Sequence, residues 1–160
     1  MLTGCAGYQL GNQALYPPHI RTVHVPVFES VSFRRNLGER LTEAVAKEIE
    51  ARTPYKVTGD PGADSVLVGR LVAESKRVVV PSRTGDPQQL QTEFNVEVSW
   101  RDHRGNTLRQ FEPVPLPAPI VNMAGRADLV PEVGQSVATS QQEAIDRVAR
   151  QIVNLMEAPW

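Results

Sequence analysis

Apolar and polar positions change period several times along this chain, and each change marks an element. In 20–28, Val23, Val25 and Val27 alternate with Thr22, His24 and Pro26, the two-residue period of a half-buried strand. Pro26 has no N–H to donate, which favours an edge or terminal place for that strand. From Asn36 the period lengthens to that of a helix: Leu37, Leu41, Ala44, Val45 and Ile49 form one apolar stripe, and Glu39, Arg40, Glu43, Lys47, Glu48 and Glu50 fill the opposite face. A cap between Ser32 and Asn36 is expected, with Asn36 and Glu39 spaced as a capping box. Thr53-Pro54 stops the helix, Tyr55 to Gly59 is a short strand, and Asp60-Pro61-Gly62 is a turn.

Ser65 to Val80 then reads as a long strand with an irregularity expected near Gly69. Leu90 to Arg101 alternates throughout, with Leu90, Thr92, Phe94, Val96, Val98 and Trp100 on one face and Gln91, Glu93, Asn95, Glu97, Ser99 and Arg101 on the other. The loop 81–89 makes the two an antiparallel hairpin. His103 to Asn106 is a second tight turn leading into a strand over 107–112. Prolines at 113, 115, 117 and 119 predict an extended loop over 113–131. The closing helix is expected to start between 136 and 140, with Ser140 and Glu143 as a capping box and Ile145, Val148, Ile152 and Leu155 as its stripe. The predicted order is β-α-β-β-β-β-α: an α+β two-layer sandwich, two helices on one face of a mixed, mainly antiparallel sheet of four to five strands. The other face is then polar and wet.

Length and charge narrow the possibilities. The chain has 160 residues, enough for one domain, and 17 basic against 18 acidic side chains leave a net charge of −1, so no whole-chain field points to nucleic acid. No run of apolar residues is long enough for a transmembrane helix. Candidate chemistry is sparse. His19, His24 and His103 stand apart from one another and from any metal-ligand spacing. Glu93 and Glu97 share a strand face but lie roughly 13 Å apart, too far for a glycosidase pair. Asp60 and Asp64 flank a turn without a calcium-loop pattern. No phosphate-binding glycine loop or nucleophile motif occurs, and no enzyme, metal or cofactor is expected.

Two features invite a functional reading. Lys76, Arg77 and Arg83 gather toward the tip of the long hairpin, with Arg70 further back, either to grip phosphates or simply to keep a protruding hairpin soluble. At the other extreme, Leu2-Thr3-Gly4-Cys5 reads as a bacterial lipobox ending at the single cysteine of the chain. Cys5 is then the mature N-terminus, carrying acyl chains on its thiol and amino group; a chance cysteine in a frayed N-terminus is the plain alternative. Met1 leaves no basic or apolar signal region upstream, a gap that a trimmed sequence or a misplaced start codon accounts for. Residues 1–5 are read as the remnant of a lipoprotein signal, 6–18 as a flexible tether and 19–160 as one α+β domain.

The run Cys5-Ala6-Gly7-Tyr8, the segment from Pro17 to Ser30, and a helix beginning near Asn36-Leu37 with Leu41 to Val45 together resemble the lipopolysaccharide-assembly lipoprotein family, LptE. The hairpin and the final helix, closing on Trp160, fit the same pattern. The resemblance implies an outer-membrane lipoprotein on the periplasmic side, anchored through acylated Cys5. Its domain would serve as a non-catalytic plug or scaffold in the barrel of a partner, LptD, and assist lipopolysaccharide assembly. It also implies Lys76, Arg77 and Arg83 as candidate lipopolysaccharide contacts. The strand from Val23 to Glu29, its helix and the segment Ala63 to Gly69 resemble a second class as well: periplasmic lipoproteins that regulate a peptidoglycan synthase or build secretion assemblies.

Overall fold

The computed structural model describes residues 15–32, 36–81, 87–108, 121–129 and 137–157. In chain order the elements are β1 Thr22–His24, β2 Glu29–Ser30, α1 Leu37–Arg52, β3 Lys56–Thr58, β4 Ser65–Pro81, β5 Pro87–Asp102, β6 Val121–Leu129 and α2 Val137–Leu155. The strands form one six-stranded sheet in the order β3-β1-β4-β5-β6, with β2 alongside β4. The class is the expected α+β, but the sheet is not mainly antiparallel in how its strands pair. β1 runs parallel to both β3 and β4, and β2 runs parallel to β4. Antiparallel pairing is confined to β4 with β5 and β5 with β6. The cause is the helical crossover, which returns the chain beside β1 in the same direction.

Several sequence expectations shift. The first strand is cut in two: residues 25–28 leave the ladder around Pro26, and pairing resumes at β2. β1 lies between β3 and β4 rather than at an edge, and Pro26 is tolerated because it follows the strand's end. β4 keeps its register at Gly69, opposite Val98, and slips instead between Leu71 and Ala73. Thr107 makes only an isolated bridge to Arg101, and residues 109–112 of the expected strand lie outside the described residues. The predicted loop 113–131 contains β6, paired with β5 from Val98 opposite Val121 to Leu90 opposite Leu129. No proline lies between Pro119 and Pro131, so nothing within 121–129 bars a ladder.

α1 keeps its predicted span. Its capping box, however, does not form: Asn36 sits in the left-handed region at φ 69° and makes no side-chain cap bond. α2 begins at Val137, which places Ser140 and Glu143 inside the helix rather than at its cap.

The core lies between the sheet and the two helices. Phe94, Val96, Val98 and Trp100 of β5 face Val45 and Ile49 of α1 and Ile145, Val148 and Ile152 of α2 in one buried cluster. α1 and α2 lie parallel and in step. Arg40 Nη2 donates to Gln142 Oε1 at 2.7 Å, Arg52 Nη2 donates to Asn154 Oδ1 at 2.8 Å, and Arg150 pairs with Glu48 at 3.9 Å. Both helices therefore end at the same pole. There Tyr16 donates to the Arg52 carbonyl, the Tyr16 ring meets Tyr55 edge-on with centroids 5.5 Å apart, and Tyr55 meets Trp100 at a tilt with centroids 5.8 Å apart.

Phe28 locks the bulged segment onto this core. Its N–H donates to Thr42 Oγ1 at 2.8 Å, and that hydroxyl donates to the Gly38 carbonyl at 2.7 Å. The phenyl ring covers Gly69 of β4, and its carbonyl lies against Gly38 of α1, so a Cβ at either glycine would collide with Phe28. Two glycines thus make room for one aromatic anchor.

Candidate functional site

The β4–β5 hairpin is the dominant surface feature. At about 3.3 Å per residue, a 17-residue strand is on the order of 55 Å long, whereas the 19 residues of α2 span about 28 Å. The hairpin therefore outreaches the helices that cover its base. Its root is at Ser65 opposite Asp102, near the pole where the helices end, and its last described pair is Pro81 opposite Pro87.

Of the three candidate lipopolysaccharide contacts, Lys76 and Arg77 have described positions in the β4–β5 ladder. Lys76 is opposite Thr92 and Arg77 opposite Gln91, consecutive positions of the ladder. Arg70 is at the hairpin's base, opposite Glu97, with its Nε 3.7 Å from Glu29 Oε2 in an exposed ion pair. Arg83 and Cys5 lie outside the described residues, as does the tether up to residue 14.

His24, Asp60 and Asp64 each bond to backbone groups. His24 Nδ1 lies 3.0 Å from the Thr58 carbonyl across the β1–β3 ladder. Asp64 accepts from the backbone N–H groups of Arg21 and Thr22 at 2.9 and 3.0 Å, and these bonds hold its carboxyl below the usual carboxylate range. Asp102 caps the His103–Asn106 turn, and the hydrogen bond from the Asn106 side chain, ahead of the turn's N–H groups, lowers its pKa. Asp60 Oδ1 accepts from the Gly62 N–H at 2.8 Å, closing the predicted turn. Burial pushes the Tyr55 phenol up, with Tyr16 adding to the effect, and its hydroxyl has no partner among the described residues. Desolvation, reinforced by Glu157, also raises Tyr16. Among the described residues no three His, Cys, Asp or Glu side chains gather to hold a metal ion, and no helix is long and apolar enough to cross a membrane.

One polar junction was not visible in the sequence. Beyond the slip in β4, Glu74 comes opposite the buried Phe94, on the helix side of the sheet. Its Oε2 accepts from Ser32 Oγ at 2.9 Å and its Oε1 from Gln141 Nε2 at 3.0 Å. The carboxylate thereby ties the hairpin to the segment entering α1 and to the first turns of α2, which carry no acidic residue in their opening turn. A slip of one position moves a charge from the wet face to the covered one, and the composition of β4 gives no sign of where that slip falls.

The two exterior layers differ in chemistry. The outer faces of the helices expose Glu39, Glu43, Lys47, Glu50, Glu143, Arg147 and Arg150. The outer sheet face carries Glu29, Arg70, Glu97 and Arg101 together with exposed valine: Val31 and Val68 are 50% and 48% exposed, and Val27, in the segment entering β2, is 66% exposed.

No match to the sequence was found among curated proteins. Solved structures share the fold at low identity. The solution structure of an uncharacterized lipoprotein B from Nitrosomonas europaea is 13% identical with a TM-score of 0.55, covering 92% of this chain and 91% of that one. A hypothetical protein from Chlamydia trachomatis is 11% identical with a TM-score of 0.57, covering 84% and 94%. The rare lipoprotein B from Shewanella oneidensis is 13% identical with a TM-score of 0.51, covering 84% and 92%. These likenesses concern the fold alone. The sequence itself carries more: residues 20–157, from β1 through α2, match the family model LptE, Lipopolysaccharide-assembly, and the chain belongs to that family.

Proposed function

We propose that this protein is a lipid-anchored component of the outer-membrane lipopolysaccharide-assembly machinery, acting on the periplasmic side as a non-catalytic scaffold within the barrel of LptD. The family match over 20–157 carries this reading, and it favours lipopolysaccharide assembly over synthase regulation or a secretion assembly. The architecture is compatible with it. A rigid sheet with a hairpin on the order of 55 Å long is tall enough to stand through a barrel whose apolar band is about 25 Å high. Acylation of Cys5 supplies the anchor, because two or more chains hold a protein stably at a bilayer.

Affinity purification of a tagged full-length protein from solubilised membranes tests the reading: an outer-membrane barrel should accompany it. Recovery of a cell-wall synthase in place of a barrel would overturn it. Lys76, Arg77 and Arg83 are proposed lipopolysaccharide contacts. Reversing charge at Lys76 and Arg77 together should weaken capture of lipopolysaccharide severalfold without lowering the melting temperature. Undiminished capture by the folded variant would remove these residues from the proposal.

A further inference from the structure

Resting on that reading, we infer that Tyr16 is a latch that sets the reach of the lipid anchor: it pins the chain to the ends of both helices and leaves only residues 6–14 to span the gap between bilayer and domain. By composition, 6–18 is a tether throughout. Yet Tyr16 is 4% exposed, Ile20 is buried with it, and Leu15 packs against the same core. The attachment falls at the pole where the helices end. The Tyr16 hydroxyl donates to the Arg52 carbonyl at 3.3 Å, and its ring meets Tyr55 edge-on. Arg52 closes α1, and its side chain reaches the end of α2, 2.8 Å from Asn154 Oδ1 and 3.9 Å from Glu157 Oε1 just beyond it. Downstream, the Ile20 N–H closes a turn on the Pro17 carbonyl. The Arg21 backbone is held on both sides, its N–H by the Asp64 carboxylate and its carbonyl by the Lys56 N–H.

The chemistry suits a fixed exit point. The last four carbonyls of a helix have no donor within it, so a hydroxyl brought to the Arg52 carbonyl meets a need of α1 itself. The tyrosine ring buries on the order of 150 Å², which together with Leu15 and Ile20 offsets the entropy of ordering 15–20. The consequence is a length. Residues 6–14 extend to about 30 Å at most, whereas freeing 15–20 as well would give about 50 Å. With the latch closed, an acylated Cys5 keeps the helix-end pole within the shorter distance of the bilayer. With it open, the domain could move a further ~20 Å away.

Trypsin reads the latch directly, because residues 6–20 contain no Lys or Arg and Arg21 is the first site after Cys5. Cutting there requires the held segment to open locally. With full-length acylated protein in vesicles of phosphatidylethanolamine and phosphatidylglycerol, the fragment beginning at Thr22 should be released about tenfold faster from Tyr16→Ala than from the parent. Tyr16→Phe, which keeps the ring and loses the hydroxyl, should fall between the two. A second readout reports distance: energy transfer from a dye on Arg104→Cys, in the exposed turn at the same pole, to acceptor lipid headgroups should drop when Tyr16→Ala is added. The acylated Cys5 thiol takes no dye. Equal release rates, or undiminished transfer, would overturn the inference. So would Tyr16→Ala protein cut at Arg147 and Arg150 as fast as at Arg21, since the tyrosine would then serve global stability alone. A parent that never enters the vesicles refutes the anchor and the function proposed for it, while the trypsin comparison still decides whether Tyr16 holds the chain.

Discussion

At the scale of single residues, the least replaceable positions are those where backbone must come close to a ring. Gly69→Ala puts a methyl into the buried Phe28 ring, which cannot turn aside without leaving the core. The expected loss is about 2 kcal/mol, the usual cost of overpacking a well-filled site. Denaturant melts of Gly69→Ala, Phe28→Leu and the pair should show strong non-additivity, with the double variant less destabilised than the sum; simple additivity would refute the contact. Asp64 offers a test by pH. Its folded pKa is depressed, so its contribution is fully present above the ordinary carboxylate value near 3.9 and is lost as pH falls through the folded value. Asp64→Asn should therefore cost stability at pH 7, about 1 kcal/mol once solvent screening of this half-exposed group is allowed for. The deficit should shrink below about pH 4. A deficit that stays constant down to pH 2 would mean the charge is irrelevant.

At the scale of elements, what could be read from the sequence was whatever has a period. α1 appears where the heptad-like stripe from Leu37 to Ile49 places it, and β5 buries Thr92, Phe94, Val96, Val98 and Trp100 in strict alternation. The misses have physical causes. β6 was hidden by Ala124, Gly125 and Ala127, residues with little strand preference, and by the prolines before it. β2 is too short to show a period. The Glu74 junction depends on a register slip between Leu71 and Ala73 that no pattern of residue types announces. Of the candidate site, the alternation of the outer face was legible, but the burial of Tyr16 in a segment with a tether's composition required knowing where both helices end. Glu74→Gln keeps the shape of the junction and removes its charge near the first turns of α2, where a negative group is favoured. A loss of about 1 kcal/mol, or a fall of ~2–4 °C in melting temperature, is expected. No change, or a gain, would show that the carboxylate acts only through its hydrogen bonds.

The whole molecule has two poles. Tyr16, the ends of both helices and the Tyr55–Trp100 ring contact are at one, and the hairpin extends toward the other. Residues 6–14 between Cys5 and the described domain can span at most about 30 Å when fully extended. That is shorter than the hairpin, so an acylated Cys5 would hold the aromatic pole toward the membrane leaflet and leave the hairpin's far end beyond the tether's reach. Tyr16, inside the segment read as a tether, already belongs to the core, and anchoring through Cys5 is expected to be independent of folding. Cys5→Ser, produced in cells lacking the barrel partner, should leave the membrane fraction and fail to incorporate labelled fatty acid while melting at the parental temperature. A Cys5→Ser protein that still sediments with membranes and still takes up label would place the anchor elsewhere in the chain. One that moves to the soluble fraction with a lowered melting temperature would show that the tether packs on the domain, and the independence of the two poles would have to be given up.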